Sequence, residues 1–509
     1  MTAAGTTQGL PAEVLVAIDV GTSGARAAAV GLDGRRLLEA RRSYPTASPR
    51  PGWAEQDARL WRSASILALG DLVRQLGGVR VLGIGLTGQC PSVCLVDARG
   101  EPVRPGLIYR DNRARLEADA MRERIGSREL HARTGHLATG FHIAPKLLWL
   151  REHEPAAYDR AALVLQPRDL VALALTGEAA TDGTHAAATL LYDLLAGDWA
   201  PDLVAAFGLD PRLLPPIRPS GEVLGGLRGP IARRVGLPEE TPVVLGGADS
   251  QACALGAGVV APGPVSEMAG SSTCLNAAVP APLDVLEVTH YPHVVAGPFT
   301  TETGINTTGA AIGWLADLLF GGRRGRAGAT DYARLDAETA AAPPGSDGIL
   351  ALAVLGDGER TDPTLRGALT GLSLRHDRAT VVRSMLEGVA FAIRAQLDLL
   401  TRGGASVTDL RVSGGDARLG TWNRIKADVT GLPVLPIPGD AATTGVAMLA
   451  GLGTGVYATP VEAIERCVHP DPPVAPDPSL RGLYDEAFRG HLALVRSAAV
   501  RRTRAAGGD

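Results

Sequence analysis

Short apolar runs, each followed by a glycine-containing turn, recur along the chain. Runs of this length and composition are typical of strands in a sheet that helices cover on its faces. They predict strands at Leu15–Val20, Val79–Leu86, Thr241–Leu245, Val265–Ala269 and Leu410–Val412.

Helical spacing of apolar residues appears between these runs. Asp377 is a candidate N-cap, and Gly403 stands past the probable end of the periodic stretch that follows it. One stripe of this predicted core helix contains Val382, Met385, Leu386, Val389, Ile393 and Leu397. A second helix is predicted from about Leu419 to Thr430, with Gly431 as its C-terminal stop.

The alternation of strands and helices predicts an α/β fold, and the chain is too long for one sheet. A stretch rich in glycine, near residues 256–264, is the predicted boundary between two lobes. We assign residues 12–256 to an N-terminal lobe, 257–498 to a C-terminal lobe and 499–509 to a flexible tail. Arg323–Gly328 is predicted to be a flexible, solvated segment.

Composition narrows the classes of function. A chain of 509 residues with 45% hydrophobic and 20% charged residues is typical of a globular protein with two sizeable cores. The net charge is -4 and arginines are scattered, so a nucleic acid partner is not expected. Neither a signal-peptide layout nor an apolar run of membrane-spanning length is present, so we expect a cytoplasmic protein without membrane contacts.

The chain contains five cysteines, an odd and scattered set that fits reduced thiols better than disulfides. Cys90 and Cys94 lack a second ligand pair at zinc spacing, so a metal site there is not expected. Cysteine chemistry therefore adds nothing to the functional prediction.

The first candidate for chemistry follows the strand that ends at Val20. Glycines let a backbone approach a polyphosphate, hydroxyls and N–H groups bind its oxygens, and a carboxylate holds hydrated magnesium. The residues are Asp19, Gly21, Thr22, Ser23, Gly24 and Arg26. Neither the P-loop nor the dinucleotide fingerprint is present. Taken alone, the segment reads equally well as a β-hairpin turn.

The second candidate is Asp249 in the segment Gly246–Gln251, which also follows an apolar strand. An acid at the carboxyl end of a strand faces the crevice where α/β proteins bind ligands. Asp249 is therefore a candidate general base for a hydroxyl that attacks a terminal phosphate. The alternative is that Asp249 caps the helix that follows.

Two further loops extend this pattern. Gly270, Ser271, Ser272 and Thr273 follow a predicted strand and could bind outer phosphates, or form an ordinary Ser/Thr-rich turn. Gly414, Gly415 and Asp416 precede the helix of Trp422 and could form a flat nucleotide site. Each loop is weak evidence by itself.

The order and spacing of these segments resembles the FGGY carbohydrate kinases over nearly the whole chain. Other segments carry the same likeness: 51–57 (PGWAEQD), 111–114 (DNRA), 146–150 (KLLWL), 175–178 (LTGE), 358–360 (GER), 386–389 (LEGV) and 413–415 (SGG). Among members, segment 51–57, Gly140-Phe141 and Ala144-Pro145-Lys146 are most similar to xylulose kinases.

This resemblance implies two actin-like, ribonuclease-H-like lobes with a cleft for ATP and sugar. The N-terminal lobe would carry the sugar side, the first phosphate loop and the catalytic acid, and the C-terminal lobe the nucleotide side. ATP and Mg²⁺ are the implied cofactors. Asp249 matches the catalytic base, and Asp19 and Asp249 the acids that hold Mg²⁺, largely through water. The nucleotide residues are implied to be Asp19, Gly21, Thr22, Ser23, Arg26, Gly270, Ser271, Ser272, Thr273, Gly309, Gly313, Gly414 and Gly415.

The sequence departs from the family where sugar is bound. Xylulose kinases carry Met-His after the glutamine that matches Gln89, and glycerol kinases carry Arg-Glu, whereas this chain has Cys90 and Pro91. Proline has no side-chain donor or acceptor, so other groups must meet the sugar hydroxyls. The implied substrate residues are Gln89, Cys90, Pro91, Ser92, Asp111, Arg113, Asp249 and Ser250.

Two smaller departures are Ser250, which replaces the amide usual after the catalytic acid, and Leu419, where some relatives offer adenine a polar group. The expected activity is phosphorylation of a small ketose or polyol, with D-xylulose as first choice. Ribulose, erythritol, gluconate, glycerol and deoxy-ketoses stay open, and so does a homodimer. An alternative of another class is an actin-like nucleotide switch without catalysis.

Overall fold

The computed structural model describes residues 9–320, 329–356, 358, 359, 362 and 364–505. The side chains of Ala329, Asp416 and residues 499–505 also lie outside the description. The predicted flexible segment Arg323–Gly328 and Arg360 of the 358–360 motif fall outside the described residues.

The described residues contain twenty-two strands. Their bounds are β1 Glu13–Val20, β2 Gly24–Val30, β3 Arg36–Ser43, β4 Glu55–Gln56, β5 Arg80–Gly88, β6 Cys94–Val96, β7 Gly106–Leu107, β8 Leu163–Leu165, β9 Thr181–Asp182, β10 Tyr192–Asp193, β11 Asp198–Trp199, β12 Ile217–Arg218, β13 Val223–Gly226, β14 Pro242–Ala248, β15 Gly263–Ala269, β16 Thr273–Val279, β17 Thr289–Pro292, β18 Phe299–Ile305, β19 Leu350–Leu352, β20 Ala368–Thr370, β21 Val407–Gly414 and β22 Val434–Pro436.

Helices alternate with these strands, which confirms the predicted α/β class. Their bounds are α1 Ala58–Leu76, α2 Arg115–Ile125, α3 Ser127–Thr134, α4 Ile143–His153, α5 Pro155–Tyr158, α6 Pro167–Thr176, α7 Gly183–Ala187, α8 Pro201–Ala206, α9 Gly229–Val235, α10 Asp249–Gly256, α11 Gly309–Phe320, α12 Ala329–Ala341, α13 Arg378–Arg402, α14 Gly420–Thr430, α15 Ala441–Gly453, α16 Pro460–Cys467 and α17 Arg481–Ala505. No helix in the described part of the chain is both long enough and apolar enough to cross a membrane.

The two helices predicted from periodicity form with the expected ends. The Asp377 side chain accepts a hydrogen bond from the Thr380 N–H group and caps α13, which ends at Gly403. Helix α14 ends at Gly431, whose left-handed φ of 73° terminates the helix. The five predicted strands correspond to β1, β5, β14, β15 and β21.

The chain forms two compact units, and they are not two consecutive stretches of sequence. The first unit contains Met1–Val260, Val279–Thr301 and Asp440–Val468, and the second contains Ala261–Ala278, Glu302–Gly439 and His469–Asp509. The first change of unit therefore falls within the predicted boundary stretch, but α15 and α16 return to the first unit. Helix α17 continues to Ala505, where a tail was expected from 499, and residues 506–509 lie outside the description.

The first unit is built on a mixed six-stranded sheet in the order β13-β14-β5-β1-β2-β3. Strand β5 pairs in parallel with β1 on one side and with β14 on the other, whereas β1 and β2 form an antiparallel hairpin. The β1 run from Val14 to Ile18 is buried because both faces of the sheet are covered. This arrangement brings the carboxyl ends of β1, β5 and β14 to one edge.

Helices α10 and α15 cross within the first unit at two glycines. A Cβ atom on Gly256 would collide with the Ala441 carbonyl oxygen, and one on Gly445 with the Ala252 carbonyl oxygen. Only glycine permits such a close approach of two backbones, so the crossing requires both residues.

A second large sheet contains β18, β16, β15, β21 and β22 in that order. Strands β15 and β16 form an antiparallel hairpin, and β21 pairs in parallel with both β15 and β22. In the second unit, Glu267 on β15 and Lys426 on α14 form a buried ion pair with an O–N distance of 2.7 Å. This pair joins the sheet to the helix that packs on it.

Candidate active site

Three predicted segments meet where β1, β5 and β14 end. The parallel registers pair Asp19 and Ala248 with consecutive residues of β5. The segment Gln89–Pro91 directly follows β5, and Asp249 directly follows β14. The fold of the first unit therefore gathers the first phosphate turn, the sugar-side segment and the proposed base at one sheet edge.

Arg26 on β2 is held by carboxylates. Its guanidinium lies 3.1 Å from the Asp19 carboxylate and 3.8 Å from that of Glu39, and it also pairs with Asp440. Burial raises the pKa of Asp19, Asp440 raises it further, and Arg26 opposes both, with a net shift above the ordinary value. The Asp19 carboxyl group thus holds its proton to a higher pH than a carboxyl group in water.

The turn after β1 is a hairpin turn, as the alternative interpretation of this segment expected. The Gly21 N–H group donates to the Gly24 carbonyl at 3.1 Å. The Tyr44 hydroxyl donates to the Gly21 carbonyl at 2.6 Å. Thr22 is half-buried and Ser23 is exposed. A tight hairpin turn and a phosphate loop are compatible, because N–H and hydroxyl groups stay available at the tip.

Gln89 and Gln56 fix the other side of this turn. The Gln89 amide donates to the Gln56 side-chain oxygen at 3.0 Å and to the Gly21 carbonyl at 3.4 Å. Gln56 donates to the Thr22 carbonyl at 2.7 Å and accepts from the Trp61 indole at 2.7 Å. Gln89, which was expected at the sugar, is 2% exposed. Its hydrogen bonds also hold the predicted phosphate turn.

Cys90 and Pro91 occupy the position where the sequence departs from its relatives. Cys90 is half-buried, and Pro91 is buried. Burial raises the pKa of the Cys90 thiol well above its usual range, and the carboxylates of Asp249, Asp182 and Asp169 raise it further. Cys90 is therefore a neutral thiol at physiological pH, next to the candidate base.

Asp249 is the first residue of α10, and Ala248 occupies the N-cap position. Its carboxylate accepts a hydrogen bond from the Ser250 N–H group at 2.8 Å. Asp249 is half-buried, whereas Ser250 is buried. A negative charge in the first turn of a helix interacts favourably with the positive end of the helix dipole.

Asp111 and Arg113 lie in a buried ion-pair network. The Asp111 carboxylate accepts from the Ala54 N–H group at 2.6 Å and from two nitrogens of Arg113 at 2.8 and 2.9 Å. Arg113 also pairs with Glu55 and stacks over the Trp53 ring at 3.6 Å. Both side chains are at most 1% exposed, and Nη1 of Arg113 has no hydrogen-bond partner among the described residues, so a contact with sugar stays a prediction.

In the second unit, the turn between β15 and β16 meets the start of α11. Gly270, Ser271 and Ser272 are exposed at the tip, and Thr273 is buried. The Thr273 and Thr308 hydroxyls hydrogen bond at 2.8 Å. The Ser271 carbonyl accepts from the Thr308 and Ala310 N–H groups, both at 3.1 Å. The turn is therefore fixed against the helix terminus.

Glycines make this junction possible. The Gly309 N–H group donates to the Gly270 carbonyl at 3.1 Å. A Cβ atom on Gly309 would collide with that carbonyl oxygen, and one on Gly414 with the Ala269 carbonyl oxygen. Gly414 has a φ of 101°, which strongly favours glycine. The second unit thus joins three predicted nucleotide loops through backbone contacts.

The other two predicted glycines border these loops. Gly313 is half-buried on α11, where an added Cβ would lie 2.9 Å from the Tyr332 hydroxyl. Gly415 is exposed, and a Cβ there would meet no described atom within 4 Å. The Asp416 side chain is outside the described residues.

Sequence reasoning missed Asp440 and the pair Arg168 and Asp182. Asp440 caps α15 and pairs with Arg26, so its carboxylate lies beside the predicted phosphate turn. Arg168 and Asp182 form a buried ion pair at 2.8 Å under the end of β14. The only local signal was an aspartate before a helix at positions 182 and 440, which ordinarily indicates a cap.

The carboxylates at this edge fit a magnesium ion held mainly through water. Magnesium prefers oxygen ligands and retains several waters. Strands β1 and β14 lie on either side of β5, and neighbouring strands in a sheet are about 4.8 Å apart. The backbones of Asp19 and Asp249 are therefore about 10 Å apart. That spacing suits two carboxylates that hold a hydrated ion between them.

Comparison with known families gives matches in both halves of the chain. The profile of the N-terminal domain of the FGGY family of carbohydrate kinases matches residues 14–256, and that of its C-terminal domain matches residues 266–454. The two matches together cover most of the chain.

Individual relatives agree with the profiles. The chain is 29% identical to a xylulose kinase of Bacillus subtilis over 462 residues, which cover 89% of this chain and 90% of the relative. It is 30% identical to an autoinducer-2 kinase of Escherichia coli K12 over 506 residues, covering 93% and 92%. The crystal structure of a xylulose kinase from Rhodospirillum rubrum is similar with a TM-score of 0.87 and 33% identity, covering 95% of this chain and 98% of that one.

Proposed function

The chain belongs to the FGGY family of carbohydrate kinases, and on that premise we propose that it transfers the γ-phosphate of ATP to a hydroxyl group of D-xylulose, forming D-xylulose 5-phosphate. Membership makes the protein a carbohydrate kinase with an actin-like fold, a phosphotransferase whose acceptor is an alcohol group and which is similar to xylulose kinases. The observation that carries the finer proposal is Asp249 at the edge that also holds Asp19 and Arg26.

In this proposal Asp249 is the general base. Its carboxylate accepts the proton of the sugar hydroxyl while the hydroxyl oxygen bonds to the γ-phosphorus, and the bond to the β-phosphate oxygen breaks to release ADP. Its location at the start of α10 supports this role, since the helix dipole favours the anion.

The first phosphate turn is proposed to bind the transferred group. Arg26 carries the positive charge, and the N–H and hydroxyl groups of the tip are oriented by Tyr44 and Gln56. Asp19 and Asp249 would hold Mg²⁺, largely through water, and the ion would neutralise charge on the phosphates. The network of Arg26 with Asp19 and Asp440 keeps the guanidinium in place for this contact.

The loops of the second unit are proposed to bind the nucleotide. The exposed tip at Gly270, Ser271 and Ser272 offers N–H and hydroxyl donors for phosphate oxygens. Exposed Gly415 leaves an open surface before α14, which suits a flat adenine ring or ribose. The close backbone contacts of Gly309 with Gly270 and of Gly414 with Ala269 support this proposal, because they hold the loops next to one another.

D-xylulose is the proposed acceptor because xylulose kinases are among the relatives by sequence and by structure. Cys90 and Pro91 differ from the family patterns at the sugar segment, so ribulose, erythritol, gluconate and glycerol are the alternatives. A relative of 30% identity is an autoinducer-2 kinase, which adds that compound to the alternatives. A homodimer is a further proposal.

The test is a coupled assay of ADP release with MgATP and a panel of these acceptors. We expect the highest kcat/KM with D-xylulose. Asp249→Ala should lower kcat by about 10³-fold or more, in keeping with the loss of a general base, while a fluorescent ATP analogue binds as before. Asp159→Asn, at an exposed carboxylate outside the site, is the control and should leave kcat unchanged.

Each contrary outcome has its own meaning. A higher kcat/KM with another acceptor would replace D-xylulose. Turnover retained in Asp249→Ala would remove Asp249 from the mechanism. Indifference of ADP release to every acceptor would favour the nucleotide switch instead of a kinase.

A further inference from the structure

The end of β14, immediately before Asp249, departs from regular strand geometry. The pairing of β14 with β5 shifts register between Val244 and Gly247, and Gly246 has a φ of 77°. A Cβ on Gly246 would collide with the Leu86 carbonyl oxygen. The irregularity frees backbone carbonyls from the strand ladder, so side chains must satisfy them.

Arg168, on α6, satisfies two of these carbonyls. One guanidinium nitrogen donates to the Leu245 carbonyl at 2.8 Å and to the Gly246 carbonyl at 3.2 Å. The other terminal nitrogen donates to the Asp182 carboxylate at 2.8 Å. Arg168 is fully buried, and a rigid, planar fork of donors fixes the direction of each bond.

Asp182 accepts hydrogen bonds from this arginine and from several other side chains. Its carboxylate accepts from the Thr184 hydroxyl at 2.6 Å, from the Ser220 hydroxyl at 2.8 Å and from a ring nitrogen of His185 at 2.7 Å. Burial by itself would raise the pKa of Asp182, but Arg168 and His185 lower it below the ordinary value. The carboxylate therefore stays charged and committed to protein donors.

Thr184 carries the network to the residue before the base. Its hydroxyl donates to Asp182 and accepts from the Ala248 N–H group at 2.9 Å. On the other side of the strand end, the Thr87 hydroxyl donates to the Gly247 carbonyl at 2.7 Å. Four consecutive backbone groups ahead of Asp249 are thus held by side chains.

We infer that Arg168, Asp182, Thr184 and Thr87 form a strand-end clamp of positioning residues, which fixes the backbone at 245–248 and thereby the position from which Asp249 accepts the hydroxyl proton. The inference rests on the proposed role of Asp249 as base. None of the four residues needs to touch the sugar or ATP. Side-chain hydrogen bonds to four neighbouring backbone groups restrict the arrangement of that backbone, and a misplacement of about 1 Å at a reacting group can cost about 10²-fold in rate.

The test compares Thr184→Val with Thr184→Ser, using ATP and the best acceptor of the panel. Valine keeps the shape of threonine but removes the hydroxyl between Asp182 and Ala248, whereas serine retains it. We expect Thr184→Val to lower kcat by about 10-fold to 100-fold, with KM for ATP and for sugar changed by less than about threefold. Thr184→Ser should stay within about threefold of the parent kcat.

Thr134→Val is the matched control for lost stability. Thr134 is as buried as Thr184, and its hydroxyl donates to the Leu130 carbonyl at 2.7 Å within α3. We expect a lower Tm for Thr134→Val but an unchanged kcat, because this hydroxyl lies outside the clamp.

Thr87→Val tests the clamp from its other side and serves if Thr184→Val does not fold. This variant should also lower kcat by a larger factor than it changes KM for ATP or for sugar. Parent-like kcat in folded Thr184→Val or Thr87→Val, or an equal fall of kcat in Thr134→Val, would overturn the inference. The proposed function fails separately, through retained turnover in Asp249→Ala, so the two failures are distinguishable.

Discussion

The two units differ in the chemical groups that their predicted binding loops contain. The first unit supplies charged side chains, with Asp19, Arg26 and Asp440 in one ion-pair group. The second unit supplies backbone and small hydroxyl groups, and its loops join where Gly309 and Gly414 contact the backbone directly. The difference follows from the proposed tasks: a proton acceptor must be an ionisable side chain, whereas a polyphosphate is bound well by N–H groups.

The same difference determines how each part responds to substitution. At the ion-pair group of the first unit, we expect a changed charge to alter proton binding while the backbone stays in place. At the glycine loops of the second unit, we expect an added methyl group to displace the backbone and so to weaken nucleotide binding more than catalysis. Three predictions test this contrast, from the largest effect to the smallest.

Gly309→Ala should damage nucleotide binding in the second unit. The new methyl group would collide with the Gly270 carbonyl oxygen and push the exposed turn away from α11. We expect KM for ATP to rise by about tenfold or more, with KM for sugar within about twofold, since about 1–3 kcal/mol is typical of such overpacking. Steady-state kinetics with ATP as the varied substrate measures the effect.

Gly482→Ala is the control for that variant, because no described atom lies within 4 Å of the position its methyl group would take on α17. Its KM for ATP should equal that of the parent. An unchanged KM for ATP in Gly309→Ala would show that the contrast between the units is wrong for this loop.

Asp440→Asn should shift the acidic limb of the pH profile of kcat/KM for ATP to lower pH. Burial is the main reason that the pKa of Asp19 is raised, and the Asp440 charge raises it further. Loss of that charge therefore lowers the pKa of Asp19, so the ionised carboxylate persists to lower pH. Asparagine is also a good N-cap, so α15 should be retained.

The expected shift is below about one pH unit, since Arg26 keeps its bonds to Asp19. Asp159→Asn, which removes an exposed charge elsewhere in the first unit, should not move the profile. A shift of the limb to higher pH would contradict the electrostatic coupling of Asp19 with Asp440.

Cys90→Ser should give the smallest effect, limited to sugar. The thiol is neutral, and serine replaces it with a smaller and more polar group beside Asp249. We expect KM for the preferred sugar to change by about threefold, a difference on the order of 0.7 kcal/mol, with KM for ATP unchanged. A change in KM for ATP alone would contradict the proposed contact of Cys90 with sugar.

Local patterns were sufficient to predict the elements that carry the site. The strands that contain residue 19 and precede residues 89 and 249 follow from short apolar runs, and the helix of residues 378–402 follows from its cap and its period. Asp249 was a candidate base because an acid at the carboxyl end of a strand faces the crevice where α/β proteins bind ligands, and a helix cap was the alternative interpretation. Its predicted role as base is not tested by these features.

Partners that are distant in sequence could not be predicted. Asp440 joins Arg26 because α15 and α16 return to the first unit, and no local pattern reports that return. No local pattern marks Arg168, yet it is fully buried, where it donates to the Leu245 carbonyl at the irregular end of β14. Asp111 and Arg113, predicted at the sugar, form a buried ion pair that no local pattern indicated, and their contact with sugar stays a prediction.

The crossing of α10 and α15 at Gly256 and Gly445 has a mechanical consequence. Helix α10 begins at Asp249, and α15 follows Asp440. Because no side chain separates the two backbones at the crossing, there is no compressible layer that would let one helix slide past the other. We therefore expect the starts of the two helices to move together, so that the Asp249 and Asp440 carboxylates keep a similar spacing.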